Sequence, residues 1–341
     1  MSRPQGSPNR KLITQEGLNS WLDELAVTRS LIAPRLAAGV PLYQRVAGSN
    51  EIAWGISRTV LSVKQAFFPP NERLLTIRKN GQAIQLEETV PEEAQIVFGV
   101  RPCEARGVRL LDALFLDTPP ADPYYASRRE NTVLIGLACR EMGPTCFCNS
   151  VGGAPNEAGD VDVMLYEVND GYVLEDVTDK GRSLTVDLGL DVYDYDPHVY
   201  RYESHYEVVS PLTIKWPGLF EHEYWQKMSE RCLSCRACAY VCPTCRCFAI
   251  RDESIGTGEF ERLRCWDSCA GENYRLLAGG HKARPEKGDR LRNRMFCKFH
   301  FYAEQTGLGN ISACTGCGRC IDVCPVGVDI TEVLADLGRQ P

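Results

Sequence analysis

What this sequence lacks narrows its chemistry first. No apolar run reaches the roughly 20 residues needed to span a bilayer, and the opening MSRPQGSPNRKLITQEG has no apolar core for a signal peptide. Both absences predict a cytoplasmic protein that does not enter a membrane. Basic residues are not in excess: 38 Lys and Arg face 45 Asp and Glu, a net charge of −7, which argues against nucleic acid as the main partner. Histidine is scarce, five in 341 residues, and His205, His222 and His281 show no metal-ligand spacing with one another. No Gly-x-Gly-x-x-Gly stretch is present to cradle a dinucleotide.

Cysteine, by contrast, is abundant, with seventeen in the chain. Where thiols stay reduced, clustered cysteines mean metal more often than disulfides. Eight of them fall in two copies of one run, Cys232-x-x-Cys235-x-x-Cys238-x-x-x-Cys242-Pro243 and Cys314-x-x-Cys317-x-x-Cys320-x-x-x-Cys324-Pro325. This is the bacterial ferredoxin spacing for two 4Fe-4S clusters: three thiolates on one turn hold three irons, and the fourth reaches the other cluster. The expected ligand sets are Cys232, Cys235, Cys238 and Cys324 for one centre, and Cys314, Cys317, Cys320 and Cys242 for the second. Pro243 and Pro325 turn the chain after each crossing ligand. Ala237, Ala239, Gly316 and Gly318 leave room for backbone N–H groups to approach the sulfurs. Zinc would need four ligands in separated pairs, leaving the third cysteine and the proline of each run unexplained.

The chain is long enough for more than one domain, and its pattern predicts an α+β protein. A polar, disordered tail (1–11) is expected before a mixed α/β domain (12–215), and a ferredoxin-like two-cluster domain (216–341) carries a long insertion (248–313) between its runs. Leu18, Trp21, Leu22 and Leu25 predict a helix from Thr14. Residues 41–47, 50–54 and 73–80 read as strands, and Asn80-Gly81 marks a hairpin with 82–90. Residues 93–100, 101–116 and 131–139 read as strand, helix, strand: a βαβ unit with Val108, Leu111, Leu114 and Leu116 as apolar helix positions. Its loops gather Arg101 to Glu104 and Cys139 to Cys148 at the strand ends where open α/β sheets bind ligands. A hairpin is expected about Asn169-Asp170-Gly171, and helices over 216–231 and 329–338.

Beyond the runs, CPTCRCF, WDSC, GVRPCEARGVRLLD, DPYYASRREN and CFCNS, together with CTGCGRCIDVCP, resemble one family over roughly residues 55–330. It is the iron-sulfur protein family that includes the beta subunit of cytosolic NiFe sulfhydrogenases and the iron-sulfur subunit of anaerobic sulfite reductase. The resemblance implies an electron-relay subunit without substrate chemistry of its own. FAD is expected on a flavin NAD(P)H diaphorase partner, and a NiFe hydrogenase or sirohaem sulfite reductase subunit at the other end. A further possibility is a self-sufficient reductase of sulfur compounds, which would need a pocket with polarised groups at Arg101 to Glu104.

Nine cysteines remain: Cys103, Cys139, Cys146, Cys148, Cys245, Cys247, Cys265, Cys269 and Cys297. Four of Cys146, Cys148, Cys245, Cys247 and Cys269 could hold a third cluster where the domains meet, or all could be small buried apolar side chains. Cys103 could be a helix N-terminal thiol with a lowered pKa, and Cys297 stands where the resemblance leads us to expect histidine. Arg284, Arg290, Arg292 and Arg294 form a basic stripe that could dock an acidic partner, hold a flavin phosphate, or lie on a salt-bridged face. Asp122, Tyr124, Tyr125, Arg128 and Arg129 are expected to pin a loop.

Overall fold

The computed structural model describes residues 10–199, 202–204, 208–309 and 311–340. Residues 1–9 of the expected tail, and His205, lie outside the described residues. Arg10 and Lys11 belong to strand β1 (Arg10–Ile13) rather than to a tail. Helix α1 (Gln15–Thr28) follows, capped by Thr14, whose Oγ1 accepts the Gly17 N–H at 3.1 Å. It buries Leu18, Trp21, Leu22 and Leu25 as the spacing requires. After β2 (Ser30–Ala37) and β3 (Val40–Arg45), residues 50–54 form a turn and loop instead of a strand. The reason is local: Asp23 and Glu51 carboxylates accept the Ser49 and Ala47 N–H groups at 2.6 and 2.9 Å, drawing the backbone out of a ladder.

Strands β4 (Asn71–Asn80) and β5 (Ala83–Glu88) form the hairpin at Asn80-Gly81, with Gly81 at φ +61°. Next come β6 (Gln95–Val100), α2 (Pro102–Phe115), α3 (Pro123–Glu130) and β7 (Thr132–Leu137), with β6 and β7 parallel. The hairpin of β8 (Val163–Val168) and β9 (Gly171–Asp176) and helix α4 (Asp179–Thr185) complete this half. One sheet runs β1-β9-β8-β7-β6-β2-β3, with β2, β6, β7 and β8 mutually parallel. β6 is buried along its whole length: Ile96 and Phe98 face the α1 layer, while Val97 and Val100 face the α2 layer. Residues three apart share no face of a regular strand, so the register shift at Gly99, φ +74°, is what turns Val100 to the side of Val97. Each such side chain contributes about 1.5–3 kcal/mol by leaving water.

The second half contains α5 (Tyr224–Ser229), α6 (Ala237–Tyr240), β10 (Phe248–Gly256), β11 (Glu259–Trp266), α7 (Lys287–Phe299), α8 (Phe301–Thr306), α9 (Arg319–Asp322) and α10 (Ile330–Gly338). The helix expected over 216–231 is broken: a 3-10 turn at Trp216–Leu219 precedes α5, and Gly218 within it disfavours a continuous helix. Trp216, Leu219, Trp225 and Met228 are buried all the same.

The insertion ties the halves together. Its β10-β11 hairpin joins β4 and β5 in one four-stranded sheet. Buried Arg264 of β11 pairs with Glu72 of β4 and with Asp122, the N-cap of α3. Arg128 shares Glu72, and Arg129 and the Tyr125 hydroxyl hold Asp112 at 3.1 and 2.8 Å. The Asp122 to Arg129 segment is thus a structural clasp. Among the described residues no helix is long and apolar enough to cross a membrane.

Candidate metal centre

The two cysteine runs adopt the same backbone. In the first, Ser234 and Arg236 have φ of +54° and +69°; at the equivalent places of the second, Gly316 and Gly318 have +65° and +72°. Left-handed backbone costs a non-glycine residue about 1–2 kcal/mol, so its repetition at Ser234 and Arg236 marks a conformation that the site requires. In the first run the Ser234 N–H donates to Cys232 Sγ at 3.4 Å, and beyond the second run the Val328 N–H, after left-handed Gly327, donates to Cys324 Sγ at 3.1 Å. Helices α6 and α9 begin at the same point of each run.

Cys232, Cys235, Cys238 and Cys324 line one cavity, which Cys320, Arg290 and Arg294 also border. Cys314 and Cys320 each lie within electrostatic reach of Cys242 and Cys317, and burial pushes them up to about 11 and about 12. Each group is drawn from both runs, so the fourth cysteine of a run stands with the other run's first three. Among the described residues no three His, Cys, Asp or Glu side chains converge as ligands of a single ion.

Cations replace the partners that such thiols would otherwise need. Helix α7 aims Arg290, Arg294 and Lys298, spaced by four, into the protein, where Arg294 and Lys298 are each 4% exposed. Lys298 Nζ donates to Cys242 Sγ and to Thr244 Oγ1, both at 3.0 Å. Burial works against both charges, yet Cys242 and Cys245 hold Lys298, and Cys238 and Cys320 hold Arg294, well above their usual pKa. A hydrogen bond from Cys245, with Lys298 and Arg294 adding to it, holds the Cys242 thiol well below the ordinary range. The Nε atoms of Arg290, Arg292 and Arg294 have no partner in the protein, and of the three residues Arg290 and Arg294 border the first cavity. A cluster held by four thiolates is a net anion, and these orphaned donors and buried cations fit such a group. The basic stripe is therefore largely internal: Arg292 alone of α7's three arginines turns outward, against the Phe220 ring at 4.0 Å and to Glu221 and Asp289.

The Arg101 to Glu104 loop is consumed by structure. Arg101 donates to the carbonyls of Leu137, Ala138 and Ile56 at 3.2, 2.8 and 2.5 Å. Glu104, fully buried, pairs with Arg319 of the second run at 2.6 Å and accepts from the Tyr43 hydroxyl, also at 2.6 Å. Cys103 does stand in the first turn of α2, but burial and the neighbouring Cys317 raise its pKa instead of lowering it.

The residues read as a mixed third set are separated. Cys245 lies against Cys242, while Cys247 stands beside Cys269, whose hydrogen bond brings the Cys247 thiol down to about 5. Cys297 neighbours Cys269. Cys146 and Cys148 are elsewhere, lining a second cavity with Cys103 and Cys139. Sequence reasoning missed Lys298 and Arg58, and the grouping of Cys103 with Cys139; that both follow adjacent parallel strands was the available signal. At the same sheet edge opens a cleft of about 730 Å³ bordered by Trp54, Tyr166, Tyr172 and Arg101.

Residues 231–328 match the family described as a 4Fe-4S dicluster domain. The chain is 32% identical over 306 residues to sulfhydrogenase 2 subunit beta of Pyrococcus furiosus, covering 86% of this chain and 88% of that protein. No solved structure matches it.

Proposed function

The chain belongs to the family of sulfhydrogenase beta subunits, iron-sulfur electron-transfer proteins with two 4Fe-4S clusters, and we propose that it is the relay between a flavin NAD(P)H diaphorase subunit carrying FAD and a NiFe hydrogenase module. The observation that carries this reading is the pairing of the runs, each completing the other's thiol set around a shared row of buried cations. In it, Cys232, Cys235, Cys238 and Cys324 hold the first cluster, and Cys314, Cys317, Cys320 and Cys242 the second. Bound there, the clusters supply one-electron transfer between partners that exchange electrons in pairs and singly.

The chain's own residues set the terms of that transfer. N–H groups from the left-handed turns and the cations of α7 stabilise added negative charge. Cys235 and Leu233 are exposed, so the first centre meets the surface, whereas Cys242, Cys314 and Cys317 are buried. Arg101 and Glu104, the groups a self-sufficient reductase would draw on, are engaged by backbone carbonyls and by Arg319 and Tyr43, which favours the relay. The work is assigned to the cytoplasm, where thiols remain available for iron.

The test uses the assembled complex. Cys235→Ser should abolish NAD(P)H-driven hydrogen evolution while dye-linked NAD(P)H oxidation at the flavin persists. Retained hydrogen evolution would refute the relay, and sulfite reduction in its place would assign the chain to the sirohaem branch.

A further inference from the structure

Two segments that are distant in sequence, the start of α2 and the loop after β7, meet behind the second run. Cys103 enters from the first turn of α2, Cys139 follows β7 by two residues, and Cys146 and Cys148 come from the loop after it. All four border one cavity, with Met142, Pro144 and Pro155 as apolar walls. Cys148 lies within electrostatic reach of Cys139 and Cys146, and Cys103 of Cys139 and of Cys317 in the second centre. The loop is firmly held: the Phe147 N–H donates to the Gly316 carbonyl at 2.8 Å, the Cys146 N–H to the Gly143 carbonyl at 2.9 Å, and the Tyr202 hydroxyl to the Cys139 carbonyl at 3.0 Å. Arg58, mostly buried, donates to Cys146 Sγ at 3.4 Å and to the Cys317 carbonyl, so one cation joins this cavity to the second run.

We propose that Cys103, Cys139, Cys146 and Cys148 hold a third cluster of the 4Fe-4S type. Four thiols around a space, a cation on one of them and apolar walls are what such a group needs. Cys317 of the second run also borders the cavity, but the four thiols proposed as ligands lie outside both runs, so the site does not depend on the relay reading. It lengthens the wire, because the cavity shares Arg58, Arg101 and Cys139 with the 730 Å³ cleft at the sheet edge. The centres then run from the exposed Cys235, past Arg294, to the second run and on to that cleft. Electrons pass along them one at a time, from one cluster to the next, with no bond made or broken.

Anaerobic reconstitution of the full chain with ferric iron, sulfide and dithiothreitol, followed by iron and sulfide analysis, decides it. About twelve irons per chain are expected for three clusters, against about eight for two. A Cys139→Ser/Cys148→Ser double variant should lose about four irons and keep the resonances of the run clusters, while Cys265→Ala, on β11 and away from the cavity, should lose none. A wild-type chain saturating at about eight irons, a double variant with undiminished iron, or zinc at the cavity would overturn the proposal. The wild-type count holds whether or not the double variant folds. A further loss of about four irons when Cys139→Ser/Cys148→Ser is added to a Cys235→Ser/Cys320→Ser chain would establish this site even if the run centres were damaged.

Discussion

Lys298 and Arg294 are buried cations, and the groups that offset their charges are cysteines. A charge-assisted hydrogen bond contributes about 1.5–3 kcal/mol, which at 59 mV per 1.4 kcal/mol for one electron is roughly 60–130 mV. Lys298→Met should therefore make the second centre harder to reduce by about that much, read by a potentiometric titration followed by electron paramagnetic resonance; an unmoved potential would show that the cation does not face the cluster. Glu104 and Arg319 form the other consequential buried pair. Removing one charge leaves its partner uncompensated, at a cost of about 3–5 kcal/mol. Glu104→Gln should lower the melting temperature accordingly, and adding Arg319→Met should recover part of the loss; strict additivity in that cycle would mean that the pair is not coupled. The arginines were legible in the sequence as a stripe, but not their direction. Only the i, i+4 spacing of 290, 294 and 298 separates the inward row from Arg292, and Lys298 was not counted with them.

Between elements, the loop 145–148 seats itself in the second run because two glycines let it. A Cβ on Gly318 would come 2.3 Å from the Thr145 carbonyl oxygen, and one on Gly316 2.5 Å from Cys148 backbone. Besides leaving room for N–H groups near sulfur, these glycines make room for this loop. Gly318→Ala should destabilise by backbone strain plus displacement of the loop, more than Gly327→Ala, whose φ of +65° faces open space and should cost about 1 kcal/mol. Equal melting temperatures for the two variants would contradict the contact. At this scale the sequence was a good guide where signals are local. The apolar runs of β6 and β7 and the Asn-Gly and Asn-Asp-Gly turns name their own strands and hairpins. It failed at 50–54 and 216–231, where carboxylates bonding to nearby N–H groups and Gly218 override the apolar pattern.

Across the whole molecule, the boundary expected near residue 215 is crossed by a shared sheet: β11 from the insertion lies between β10 and β4. Pairing across about 190 residues leaves no local trace, and neither does the meeting of Cys103, Cys139, Cys146 and Cys148, which the parallel order of the strands produces. A fragment of residues 216–341 would expose the edge of β11 and leave Arg319 without Glu104, so it should be insoluble or fail to retain iron when expressed alone. A soluble fragment with its full iron would show the halves to be independent. Electron paramagnetic resonance of the reduced full chain shows whether the two cysteine runs hold paired redox centres. Magnetically interacting 4Fe-4S signals are expected, simplifying to those of the remaining centres in Cys235→Ser; a chain with no reducible signal and zinc at its run cysteines would mean that the runs are not redox centres.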